Sequence, residues 1–143
     1  MTKIRVTKKQ QQDESQAVQD GQTSTNYKHI VESAPDVICV TDNRGKYLYV
    51  NPAAVILTGY SEQELKEKTI FDLVPLEYRN DVKSFFIDQI QRNVKKFYFE
   101  FPTVSKTGKI HWLGQNVLLI EENGNVIGLQ SISRDITARK LVE

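Results

Sequence analysis

The strongest constraint on the fold is a set of three β-rich stretches between residues 96 and 136, separated by two glycine-containing turns. Lys96 to Val104 alternates, with Phe97, Phe99 and Phe101 on one face and Tyr98 and Glu100 on the other. Such alternation describes a strand with one buried and one solvated face. Lys106-Thr-Gly-Lys109 turns the chain into a second stretch, Ile110 to Glu121, and Glu122-Asn-Gly-Asn125 into a third, Val126 to Ile136. Three strands joined by short turns make an antiparallel meander. A phenylalanine-lined face on that meander needs a second layer to cover it.

The covering layer is supplied upstream. Pro75 starts a helix that runs through about Arg92, with Tyr78, Val82, Phe85, Phe86 and Ile90 on one side. Shorter helices precede it. Asn51 caps the first, Pro52 takes its first helical position and Gly59 ends it. Ser61 and Glu64 form a capping box for the next, and Ile70 to Val74 makes one more turn. Earlier still, Val37 to Thr41, the turn Asp42-Asn-Arg-Gly45 and Lys46 to Val50 read as a hairpin. A first short helix carries Tyr27, Ile30, Val31 and Ala34 on one face, with Asn26 as its cap and Pro35 as its stop. The expected fold class is α+β: a five-stranded antiparallel sheet with several short helices and one longer helix packed on one face. The interior either fills with side chains or holds a ligand. Tyr78, Val82, Phe85, Phe86, Ile90 and Trp112 are the candidates to line a pocket there, although an apolar stripe at helical spacing is core first.

Residues 1–25 differ from the rest. Lys8 to Thr25 is polar and glutamine-rich, apart from Ala17 and Val18, and cannot bury enough surface to fold alone. It is a linker, or a helical arm that needs a partner. The folded domain is then 26–137, and 138–143, rich in helix formers, begins an outgoing helix.

Charge and cysteine content exclude several functions. Nineteen basic residues stand against eighteen acidic ones, which argues against a dedicated nucleic-acid binder. Cys39 is the lone cysteine, so no internal disulfide forms, and mid-strand among Val and Ile it reads as a small hydrophobe. His29 and His111 stand far apart, and no Cys/His set has zinc spacing, so no metal site is expected. No apolar signal core and no run of about 18 apolar residues occurs, so a cytoplasmic location without membrane contact is expected. No nucleophile elbow and no phosphate-cradling glycine loop is present, and Glu62, Glu64, Glu67 and Asp81 read as solvated helix faces. The domain is expected to be non-catalytic.

Several motifs, taken together and in order, resemble the PAS family with its C-terminal extension. They are Ala34-Pro-Asp-Val-Ile-Cys-Val-Thr-Asp42, Gly45-Lys-Tyr-Leu-Tyr-Val-Asn-Pro-Ala-Ala54, Thr58-Gly-Tyr-Ser-Glu-Gln-Glu-Leu65, Lys106-Thr-Gly-Lys-Ile-His-Trp112 and Arg134-Asp-Ile-Thr137. The resemblance covers about residues 26 to 138. It implies a regulatory module of a signalling protein such as a histidine kinase or a diguanylate cyclase. Such a module senses a small molecule or relays conformational change to an output domain in the same parent chain. The alternative is a ligand-free element that serves only dimerisation and protein contacts. A homodimer through the N-terminal helix is expected.

The resemblance also carries site assignments. Asp135 and Thr137 stand where the last strand meets the outgoing helix, and both side chains suit the free amides of a first helical turn. They are read as a signal-relay junction, with a plain helix cap as the simpler reading. Arg134, Arg139 and Lys140 are local partners for the carboxylate, beside a more distant one. The flavin photoreceptor branch carries a cysteine motif where this chain has Lys68 to Pro75 without cysteine, and haem-binding members use a histidine on the long helix, which here has none. No haem or flavin is therefore expected, while an unidentified small ligand stays open.

Overall fold

The computed structural model describes residues 26–142, so the linker or arm expected over 1–25 lies outside the described residues. The chain divides between Ser33 and Ala34 into two compact units. In the first, α1 covers 26–33. Its Tyr27 and Ile30 are 65% and 60% exposed. Near its end Ser33 Oγ donates to the His29 carbonyl at 2.7 Å.

The second unit holds ten elements. β1 (Val37–Asp42) and β2 (Tyr47–Val50) come first, followed by α2 (Pro52–Thr58), α3 (Glu62–Lys66) and a 3₁₀ turn at Ile70–Leu73. The long helix α4 (Leu76–Gln91) leads into β3 (Lys96–Val104), β4 (Ile110–Glu122) and β5 (Asn125–Asp135), and α5 (Thr137–Lys140) closes the series. The strands form one antiparallel sheet in the order β2-β1-β5-β4-β3. The expected five-stranded α+β architecture is what the chain adopts. Pro75 sits just before α4 as its cap rather than inside it. Pro102 lies in β3, an edge strand, where a missing N–H is tolerated.

Local chemistry explains the helical block. Asn51 accepts from the Ala54 amide at 3.3 Å, and Ser61 and Glu64 exchange bonds at 3.1 and 2.9 Å in the capping box. Each cap satisfies amides that the first helical turn leaves open.

The sheet's inner face carries two apolar clusters. Under α4, Val82 and Phe86 pack with Phe101, Leu113, Val117, Leu119 and Leu129. Phe85 stacks on Phe99 with centroids 4.1 Å apart, and Phe86 meets Phe97 and Phe99 edge-on at 5.6 Å. The offset-stacked and edge-to-face geometries suit the ring quadrupoles. Under α2 and α3, Val37, Cys39 and Val50 pack with Ala54, Leu65 and Leu73.

Asn51 joins β1 to the helical block. It is fully buried. Its Oδ1 accepts from the Ile38 amide at 3.0 Å, its Nδ2 donates to the Asp36 carbonyl at 3.0 Å, and its own amide donates to the Ile38 carbonyl at 3.0 Å. Removing the side chain leaves a part-buried amide and carbonyl without these partners, each costing about 1–3 kcal/mol. Asn51→Ala is therefore expected to destabilise the domain by about 2–4 kcal/mol, read as a lower urea midpoint. A change no larger than that of a surface control such as Asn116→Ala, exposed on β4, would contradict this assignment.

Candidate functional site

Two places can carry function: the interior behind the sheet and the junction where β5 passes into α5. The interior space is small, about 30 Å³. It is lined by residues of all five strands together with α2, α3 and the 3₁₀ turn, and its polar lining is Cys39, Tyr47, Thr58, Thr103, Gln115 and Ser133. Cys39, Thr58, Thr103, Gln115 and Ser133 each have a partner. Cys39 Sγ meets Ser131 Oγ at 3.2 Å, and Thr58 donates to the Ala54 carbonyl at 2.7 Å. Thr103 donates to the Leu73 carbonyl at 3.1 Å, and Gln115 Nε2 donates to Ser133 Oγ at 2.8 Å. A space of that volume holds one or two waters. Burial pushes the Cys39 thiol up to about 11, against a smaller lowering from Ser131, so it stays protonated at neutral pH.

None of the six residues expected to line a pocket borders this space. Val82 and Phe86 are buried and packed against β3, β4 and β5, with Phe85 and Ile90 half-buried beside them. Tyr78 is 40% exposed, and it meets Trp112 edge-on with centroids 5.8 Å apart. The α4 stripe is spent on covering the Phe97, Phe99 and Phe101 face, and the interior space lies beside it on the same face of the sheet, under α2 and α3, with Phe101 and Leu113 in its wall.

The junction is built from β5 and β4. Asp135 Oδ1 accepts from the Thr137 amide at 2.9 Å and from its hydroxyl at 2.5 Å. The same Thr137 hydroxyl accepts from the Trp112 amide at 2.9 Å, and the Ile136 amide donates to the Trp112 carbonyl at 2.7 Å. Asp135 and Thr137 thus come together and fasten the start of α5 to β4.

The partner of Asp135 is the distant one: His111 Nδ1 lies 3.0 Å from Oδ2. Arg134 turns instead to Asp36, at 3.3 Å, and Arg139 and Lys140 both turn to Glu100. Partial burial works to raise the Asp135 carboxyl, but the Thr137 hydroxyl and amide and His111 together outweigh it and hold the group below its ordinary value.

Glu100 is the residue that sequence reasoning missed. Its carboxylate accepts from Arg139, from Tyr98 Oη at 2.8 Å and, on the other oxygen, from Lys140 Nζ at 3.0 Å. Those donors, Arg139 foremost, hold its carboxyl down to about 2. Lys140 Nζ also stands 4.9 Å above the Trp112 ring. The only available signal was the outward phase of Tyr98 and Glu100 in the alternating strand. Among the described residues no group of acidic, cysteine and histidine side chains is arranged to hold a metal, and no helix is long and apolar enough to cross a membrane.

Comparisons with known proteins agree with this architecture. A family model described as the PAS fold matches residues 25–136. The chain is 28% identical over 121 residues to the sensor histidine kinase TmoS of Ectopseudomonas mendocina, a match covering 82% of this chain and 12% of that protein. It is 25% identical over 134 residues to the sensor protein kinase WalK of Staphylococcus haemolyticus, covering 90% of this chain and 21% of that protein. The chain therefore spans a small fraction of these curated relatives. The crystal structure of a PAS domain from Colwellia psychrerythraea superposes with a TM-score of 0.74 at 26% identity, covering 82% of this chain and 99% of that one.

The junction's carboxylates set a pH dependence. Glu100 sits near 2 against an ordinary 4.5, and Asp135 below an ordinary 3.8. Groups depressed by folding contribute stability above their ordinary values, and that contribution is lost as pH falls through the folded values. Urea midpoints are expected to hold steady from neutral pH down to roughly 5 and then to fall towards 2. Glu100→Gln should start lower and fall less steeply. Parallel curves for the two proteins would remove Glu100 from the account.

Proposed function

The chain belongs to the PAS family of sensory modules, and on that premise we propose that it relays conformational change from its sheet to an output domain of the same parent protein. The observation that carries this reading is the bond of Thr137 to Trp112 and Asp135, which makes the direction of α5 follow the position of β4 and β5. The output domain is proposed to be a histidine kinase, by similarity to TmoS and WalK, with a diguanylate cyclase as the other candidate. The module itself is non-catalytic, works in the cytoplasm, and contacts neither membrane nor nucleic acid.

The interior space of about 30 Å³ favours relay through the domain's own side chains over sensing by a seated small molecule. The same reading holds that neither haem nor flavin is bound. His29 is on α1, and His111 is already engaged with Asp135. Self-association is proposed through the N-terminal helix, whose exposed Tyr27 and Ile30 leave an apolar face for a second copy.

Asp135→Ala and Thr137→Ala are expected to leave the domain folded, the first losing the bond to the Thr137 amide at a cost of about 0.5–2 kcal/mol and the second leaving the Trp112 amide without its acceptor at about 1–3 kcal/mol, while altering output activity of the full-length parent with and without its stimulus. Both variants melting slightly lower yet regulating normally would reduce the junction to a cap. Native mass spectrometry is expected to show twice the chain mass with no added ligand, and Tyr27→Glu with Ile30→Glu should shift the population to monomer. A bound small molecule, a haem Soret band or a flavin absorption band would overturn the ligand-free reading. A wild-type monomer would overturn the dimer.

A further inference from the structure

We infer that Glu100 is a positioning residue that latches the outgoing helix α5 to edge strand β3, so that the direction of α5 is set jointly by Glu100 of β3, Trp112 of β4 and Asp135 of β5. The inference deepens the relay reading and rests on it.

The latch begins with the outward phase of β3. Tyr98 and Glu100 are two residues apart and share the sheet's outer face. Glu100 pairs directly across to Gly114 of β4. A Cβ at position 114 would come within 2.3 Å of Tyr98 Oη, so the missing side chain is what allows the Tyr98 ring to lie across β4. From there Tyr98 Oη donates to Glu100 at 2.8 Å and holds one carboxylate oxygen in place.

The other donors come from α5. Arg139 reaches the same oxygen as Tyr98, and Lys140 Nζ lies 3.0 Å from the second oxygen. Lys140 also caps the Trp112 ring at 4.9 Å, and Trp112 is braced by Tyr78 of α4. One carboxylate therefore gathers both cations of a four-residue helix, and one of those cations touches an aromatic pair joining β4 to α4. An exposed ion pair is individually weak and salt-screened. Several donors on one acceptor, with the acceptor oriented by Tyr98, hold α5 firmly enough to define its direction and loosely enough to be released. Asp135 and the Trp112 amide secure Thr137, the first residue of the helix, and Glu100 secures its far end.

Trp112 is the chain's only tryptophan, so its fluorescence reports on the latch without a label. In Glu100→Gln, acrylamide quenching of Trp112 is expected to rise and its emission to shift to the red as Lys140 leaves the ring. The Lys140 and Leu141 amides, which bond to Ile136 and Thr137 carbonyls at 3.0 and 3.1 Å, should exchange faster, while sheet amides keep their protection. Added salt should raise quenching in the wild type and change it little in the variant. Arg139→Gln with Lys140→Gln breaks the latch from the other side and should reproduce the shift, which keeps the test sound if Glu100→Gln folds poorly. Reversing the charges, Glu100→Lys with Arg139→Glu and Lys140→Glu, should restore slow exchange of the Leu141 amide while leaving Trp112 quenching high, because no cation then stands over the ring. Glu62→Gln, which removes the exposed Glu62–Lys66 pair, serves as the control that leaves Trp112 unchanged.

Unchanged quenching and exchange in both latch-breaking variants would overturn the inference, and so would failure of the charge reversal to restore slow exchange of the Leu141 amide. These measurements use the chain without an output domain, so they stand or fall separately from the relay. A freed α5 in Glu100→Gln with normal regulation in the full-length parent would refute relay through α5 and leave the latch intact.

Discussion

The whole sheet depends on the pairing of β1 with β5. Val37 to Asp42 lies antiparallel to Ser133 to Gly128, joining segments about ninety residues apart in the chain. Without that pairing the first hairpin and the closing meander would be separate small sheets, each with an uncovered apolar face. A Cβ at Gly128 would stand 2.4 Å from the Thr41 carbonyl oxygen, so the close approach of the two strands at that end requires glycine. The long closure carries an entropy cost, offset by a ladder of backbone bonds and by burial of Val37, Cys39 and Leu129 on the inner face.

Placing β5 in the middle has a mechanical consequence. It is bonded on one side to β1, which Asn51 ties to the helical block, and on the other to β4, which carries Trp112 and His111. The strand that leads into α5 is thus the one that both halves of the sheet press on. Asp135 and Thr137 are joined to both halves of the sheet through hydrogen-bonded strands rather than through a loop.

The packing of α4 accounts for the shape of the interior. Its apolar side chains interdigitate with Phe97, Phe99 and Phe101, and close-packed aromatic rings leave no gap on that side. The remaining space lies behind α2 and α3, where polar side chains already satisfy one another. The Tyr78–Trp112 pair stands beside α5, with Lys140 over the Trp112 ring, and not in the wall of the interior space.

Everything decided within a few residues was legible in the sequence alone. The caps at Asn51 and Ser61, the turns at Asp42 and Lys106, the stripe of α4 and the outward phase of Glu100 follow from local periodicity and short-range hydrogen bonding, and the family motifs ordered them into a fold. The partners of charged groups were not legible. Asp135 had three cations within five residues and took a histidine on another strand, while Arg139 and Lys140 passed it by for a carboxylate some forty residues upstream. The strand order β2-β1-β5-β4-β3, the register that sets Glu100 opposite Gly114, and the choice of which side of the interior stays open were likewise decided only by the tertiary structure. The reason is geometric: periodicity tells which face a residue occupies, but strand pairing alone determines what stands across from it.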